Sequence, residues 1–150
     1  MPHWQAGGAT YFITWNAPPG ESLDERERYV VLDCIQHFHE VRYRVFLAVV
    51  MPDHVHLLME PLQLEAKRYW ALEVILKGMK GVSARRINKR RQKTGSVWQD
   101  ESYDHVIRSL DDWREKWHYI WNNPEQAGLV KDSSEYPWIW IPQPVAEDEP

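Results

Sequence analysis

The sequence predicts an α+β domain of the ferredoxin-like kind, an antiparallel sheet with helices packed on it. Three observations lead there. Apolar periodicity gives the order strand, helix, strand, strand, helix, strand, helix. The run Val45-Phe46-Leu47-Ala48-Val49-Val50-Met51 is wholly apolar and stops at Pro52-Asp53, as a strand does when it crosses a core and turns into a hairpin. A length of 150 residues suits one core rather than two.

Taken in order, residues 11–15 are β-branched and aromatic and end at Asn16-Ala17-Pro18-Pro19-Gly20, a strand and its turn. Ser22, with Glu25 three residues on, reads as the capping box of a first helix that runs to about Glu40. Residues 41–51 and 54–60 are the two strands of the hairpin. Residues 64–91 carry helical spacing at Leu72, Ile75, Leu76, Met79, Val82 and Ile87, weakened by Gly78 and Gly81. Thr94-Gly95-Ser96 is a loop, and residues 103–108 give one more strand. A third helix opens at Asp111 or Asp112 and is expected to finish at Pro124. Residues 1–141 form the domain, and residues 142–150, with three prolines and Glu147-Asp148-Glu149, read as a disordered acidic tail.

The longest apolar run has seven residues, against about 20 for a bilayer crossing, so no membrane partner is expected. The N-terminus lacks an export pattern, and a cytoplasmic location is the expectation. A single cysteine, Cys34, excludes an intrachain disulfide and a Cys-rich zinc site. The net charge of −4 hides a strong asymmetry. Between Lys67 and Lys93 stand ten bases against Glu73 alone, a local +9, while the remainder carries −13. Such a stretch suits a local anionic contact, with a solvated helix face as the plain alternative.

His54-Val55-His56 follows the turn in a predicted strand, where residues i and i+2 share a face about 7 Å apart. Two imidazoles at that spacing can hold one divalent ion, or be a structural pair. His37 and His39, on a helix, point about 200° apart and read as surface residues. In the third helix Trp113, Trp117 and Trp121 make an apolar stripe, from which Tyr119 is turned by about 200°. Asn123 lies one turn after Tyr119 and offers a hard amide oxygen beside the phenol.

The segments Met51-Pro52-Asp53-His54-Val55-His56-Leu57-Leu58, Leu76-Lys77-Gly78-Met79-Lys80, Val97-Trp98-Gln99, Tyr103-Asp104-His105-Val106-Ile107-Arg108 and Tyr119-Ile120-Trp121-Asn122-Asn123-Pro124, with Ala127-Gly128-Leu129-Val130, occur in one order. Together they resemble the REP-associated tyrosine transposases, which belong to the HUH (His-hydrophobic-His) single-strand endonucleases, next to the single-tyrosine insertion-sequence transposases. The resemblance covers about residues 11–140. It implies a ferredoxin-like fold acting on single-stranded or hairpin DNA, with Tyr119 as nucleophile and His54, His56 and Asn123 as ligands of Mg²⁺ or Mn²⁺. It implies nicking and joining through a 5′-phosphotyrosine intermediate. Relatives divide between monomers and dimers that exchange tyrosine helices, and a monomer is favoured.

A phenol of pKa about 10 is only about one part in a thousand ionised at pH 7, so such a nucleophile needs a cation or base nearby. Glu115, one turn before Tyr119, is one candidate base. Lys77, Lys80, Arg85, Arg86, Lys89, Arg90 and Arg91 are expected to follow the DNA phosphates; exposed aromatics such as Trp98 or Tyr103 are able to stack on unpaired bases, but core packing is the default for the nine tryptophans and no base contact is assigned. Two other classes fit parts of the pattern: a non-catalytic DNA- or RNA-binding module derived from such a transposase, and a metal-dependent hydrolase of small phosphoesters. Two histidines and an amide supply little of the carboxylate the latter chemistry usually needs.

Overall fold

The computed structural model describes residues 8–143. Strand β1 (Tyr11–Asn16) leads to helix α1 (Glu25–Gln36) and to the hairpin β2 (Tyr43–Val50) and β3 (His54–Pro61). A small hairpin, β4 (Gln63–Glu65) and β5 (Arg68–Tyr69), precedes helix α2 (Leu72–Arg91). Strand β6 (Ser102–Val106), helix α3 (Leu110–Gln126), a 3₁₀ turn (Ser133–Glu135) and β7 (Ile139–Trp140) complete the chain. The five-stranded sheet has the order β6-β1-β3-β2-β7 and is antiparallel throughout. Its first four members carry the ferredoxin-like order expected from the sequence.

Side-chain alternation divides the sheet into two working faces. Ile13, Trp15, Tyr43, Val55 and Leu57 point to one face, where the Tyr43 hydroxyl donates to the Ile35 carbonyl of α1 at 2.6 Å. Phe12, Thr14, His54, His56, Leu58 and Glu60 point to the other, which α3 covers. The central strands are buried on both sides: Ile13, Trp15, Leu47, Val49, Val55, Leu57 and Leu58 are all fully enclosed. This is why residues 45–51 show no alternation in the sequence.

Several boundaries differ from the sequence reading, each for a physical reason. The capping box of α1 is Asp24 with Glu27, two residues later than Ser22 with Glu25, because Leu23 goes into the core and its amide is held by the Pro52 carbonyl at 2.6 Å. Helix α1 stops at Gln36 rather than Glu40: the chain turns over residues 37–40, with the His39 amide on the Gln36 carbonyl at 3.1 Å and Glu40 at φ of +67°. Residues 64–71 are strand and turn instead of helix, since Lys67 takes a φ of +61° and the Trp70 amide bonds back to the Leu62 carbonyl at 3.0 Å. Helix α3 continues through the buried Pro124 to Gln126, and the helical path is broken just beyond it at Gly128, with φ of +72°. The predicted acidic tail lies, from residue 144 on, outside the described residues.

Helices α1 and α2 are joined by charge. Arg86 donates to Asp33 at 2.7 Å, Arg90 to Asp24 at 2.6 Å, and Arg91 grips Glu27 through two nitrogens at 2.6 and 3.1 Å. Glu27 is buried, which pushes its carboxyl up, but the Arg91 guanidinium and the Asp24 amide outweigh this and hold it below the usual range. Removing Arg91 strands a buried carboxylate. Arg91→Ala is expected to lower stability by roughly 1–3 kcal/mol, read as a shift in urea midpoint, and Glu27→Gln added to it should cost little more.

Candidate functional site

The site is built by the register of β1 on β3. His56 stands opposite Thr14, and the Thr14 hydroxyl lies 2.6 Å from His56 Nδ1. Asp53, the last residue of the turn, places Oδ1 2.6 Å from His54 Nδ1. Each imidazole therefore has its Nδ1 engaged and its Nε2 left for the site. The two rings are 4.7 Å apart, and Phe12 stacks beneath His56 at 5.6 Å. Burial, together with the neighbouring His54, pushes His56 down to about 3, so its ring is neutral at physiological pH. Neither Thr14 nor Asp53 stood out in the sequence, which gave the hairpin of residues 41–51 and 54–60 but no partner for residues 11–15.

Helix α3 lays its polar side over these rings. Ser109 caps it, its hydroxyl accepting from the Asp112 amide at 3.1 Å. Tyr119 is 53% exposed and rests edge-on against Phe12 at 5.8 Å and His56 at 5.3 Å. One turn later Asn123 Oδ1 lies 3.1 Å from His54 Nε2. An Nδ1–H given to the Asp53 carboxylate leaves neutral His54 with a lone pair at Nε2, facing an oxygen that is also an acceptor. That contact is a hydrogen bond when Nε2 carries a proton, in the imidazolium or the Nε2–H tautomer; with Nε2 unprotonated two lone pairs converge, an arrangement that can accept a cation. Among the described residues no group of three or more His, Cys, Asp or Glu is placed to hold a metal. The convergent set is two imidazoles and an amide oxygen.

A family model described as IS200-like transposase matches residues 24–122, more than half of the chain. The chain belongs to this family. The REP-associated tyrosine transposase of Escherichia coli strain K12 is 27% identical over 146 residues, a match covering 93% of this chain and 80% of that protein. A Haemophilus influenzae protein with the provisional form of the same name is 26% identical over 144 residues, covering 87% and 78%. Among solved structures, a REP-associated tyrosine transposase bound to a REP hairpin superimposes with a TM-score of 0.73 at 22% identity, over 93% of this chain and 82% of that one.

In this IS200-like transposase the basic residues of α2 divide into two sets. Arg86, Arg90 and Arg91 are ion-paired to α1, and Lys80 Nζ donates to the carbonyls of Gln99 and Asp100 and to the Ser102 hydroxyl at 2.9–3.1 Å. Lys77, Arg85 and Lys89 make no side-chain hydrogen bond or ion pair among the described residues, and all three are solvent-accessible. The two aromatic candidates also separate. Trp98 is buried, with its indole N–H on Ser83 at 2.9 Å, so it cannot stack on a base. Tyr103 is 57% exposed and touches Phe12 edge-on at 6.2 Å. Glu115 points to solvent and pairs with Lys116 at 3.3 Å.

The same sheet face ends in Glu60. Arg44 donates to its Oε1 at 3.2 Å but gives two shorter bonds, 2.8 and 3.0 Å, to Glu40, and Glu60 Oε2 has no partner. Burial pushes the Glu60 carboxyl up to about 7 from an ordinary 4.5, against the pull of Arg44. Between those two pH values the folded chain keeps a proton that the unfolded chain has released. The stability this supplies is complete below pH 4.5 and lost as pH rises through 7. Glu60→Gln should therefore gain stability relative to the parent chain as pH rises across that window. Urea midpoints measured through it check this, and a constant difference would contradict the burial account.

Proposed function

We propose that this transposase nicks and rejoins single-stranded or hairpin DNA, with Tyr119 as the nucleophile and His54, His56 and Asn123 as ligands of Mg²⁺ or Mn²⁺. The observation that carries the reading is the convergence of His54 Nε2 and Asn123 Oδ1 at 3.1 Å, beside the neutral His56 ring and 5.3 Å from it the ring of Tyr119. When bound, a divalent ion supplies Lewis-acid polarisation of a non-bridging phosphate oxygen.

The chain's own residues do the rest. Tyr119 Oη attacks the scissile phosphorus and gives up its proton; the bond from phosphorus to the 3′ oxygen breaks, and that oxygen takes up a proton as it leaves. The products are a 5′-phosphotyrosine and a free 3′-hydroxyl. The covalent link conserves the phosphodiester, so a second 3′-hydroxyl attacking it restores the phenol and joins strands. Asp53 and Thr14 orient the two imidazoles through Nδ1, as partners of metal-bound histidines do. Tyr103, exposed on the same face, offers a stacking surface for an unpaired base. The relative solved with a REP hairpin supports a hairpin as the DNA partner here.

Incubation with labelled hairpin DNA and Mg²⁺ should give a covalent adduct on a denaturing gel. Tyr119→Phe should fold and bind the hairpin yet form no adduct and no nick. His54→Ala and His56→Ala should lose ion-dependent nicking, and nicking by both at the parent rate would overturn the site. Phosphate contacts are assigned to Lys77, Arg85 and Lys89. Neutralising these three should weaken binding and flatten its salt dependence by roughly 0.7–0.9 in slope per contact. An unchanged slope would return them to the solvated face.

A further inference from the structure

Asp112, Lys116, Tyr119 and Asn123 follow one another at intervals of four, three and four residues, which places them along one side of α3. Both ends of this line are tied to the sheet. Asn123 meets His54 of β3 at 3.1 Å. At the other end the Asp112 carboxylate is shared: Oδ2 lies 2.8 Å from Nε2 of His105 on β6, and Oδ1 accepts from Lys116 Nζ at 3.0 Å. His105 stands opposite Phe12 in the register, so it reaches α3 from the same face as the candidate site. Tyr119 lies between the two ties, two turns beyond Asp112 and one before Asn123.

Of the residues of this helix Ile120 and Pro124 are buried, and the three tryptophans pack half-buried against the core. Apolar packing of this kind is non-directional, so polar contacts of fixed geometry help to set the register of the helix. The Asp112 cluster is suited to that: the side chains of Asp112 and Lys116 are only 20% and 18% exposed, which spares the pair much of the screening a surface ion pair suffers.

We propose that Asp112 is a positioning residue: it ties α3 to the edge strand β6 through His105, while Lys116 of the same helix holds its other carboxylate oxygen, and this tie keeps Tyr119 against Phe12 and His56. Its consequence for rate rests on Tyr119 being the nucleophile; its consequence for the position of α3 does not. A displacement of Tyr119 by about 1 Å is enough to cost up to about a hundredfold in a reaction that depends on alignment.

The test compares the full chain with Asp112→Ala, and with His105→Gln and Lys116→Met in case that variant folds poorly. Amide hydrogen exchange is followed along the chain, and adduct formation is measured in single turnover at saturating hairpin, with hairpin affinity determined separately. The expected result is faster exchange confined to α3, adduct formation slower by about tenfold or more, and hairpin affinity within about twofold of the parent. Lys116→Arg, which keeps the charge and the donor, should restore the parent rate. Unchanged exchange in α3, an unchanged rate despite faster exchange, or loosening spread evenly over α1, α2 and α3 would each overturn the proposal. If the parent chain forms no adduct with any hairpin, Tyr119 as nucleophile fails, and the exchange pattern alone decides whether Asp112 holds the helix.

Discussion

The pairing of β1 with β3 is the constraint on which the rest depends. A strand repeats every two residues, so the register that puts Thr14 opposite His56 also sends Val55 and Leu57 to the helical face and His54, His56 and Leu58 to the face of α3. A slip by one residue would exchange the two sets, turning both imidazoles toward α1 and α2 and Val55 and Leu57 toward α3. The apolar content of β2, β3 and β1 therefore fixes where the histidines point. The core and the site are two consequences of one ladder.

Burial then sets the charge of that face. It acts in opposite directions on the two titratable groups it encloses, lowering the imidazole of His56 and raising the carboxyl of Glu60. Both are driven toward their neutral forms. At the edge of α3 stand His54, His56 and Asn123, with Asp53 and Thr14 at the two Nδ1 atoms, next to a phenol half open to solvent.

Much of this was legible in the sequence, and the failures have identifiable causes. The order of the main elements followed from apolar periodicity, and the separation of Tyr119 from the tryptophan stripe followed from helix geometry. The small hairpin at Gln63–Tyr69 was missed because its residues are good helix formers, overruled by the Trp70 amide bonding back to Leu62. The stop at Pro124 was misplaced because burial of its ring offsets the lost backbone bond. The basic stretch of α2 reads in the sequence as one anion-binding surface; nothing local in the sequence says that Arg86, Arg90 and Arg91 meet Asp33, Asp24 and Glu27 of α1, some 50 to 70 positions away. Trp98 follows the core default for tryptophans, packed edge-on against Trp15.

The central claim is that Tyr119, and no other side chain, receives the DNA. Peptide mapping by mass spectrometry of the adduct trapped on labelled hairpin DNA tests it most directly. The account predicts a phosphonucleotide on the peptide containing Tyr119 and none elsewhere. A phosphonucleotide on Tyr103 or Tyr136, or strand cleavage that leaves no tyrosine modified, would contradict both the residue and the mechanism.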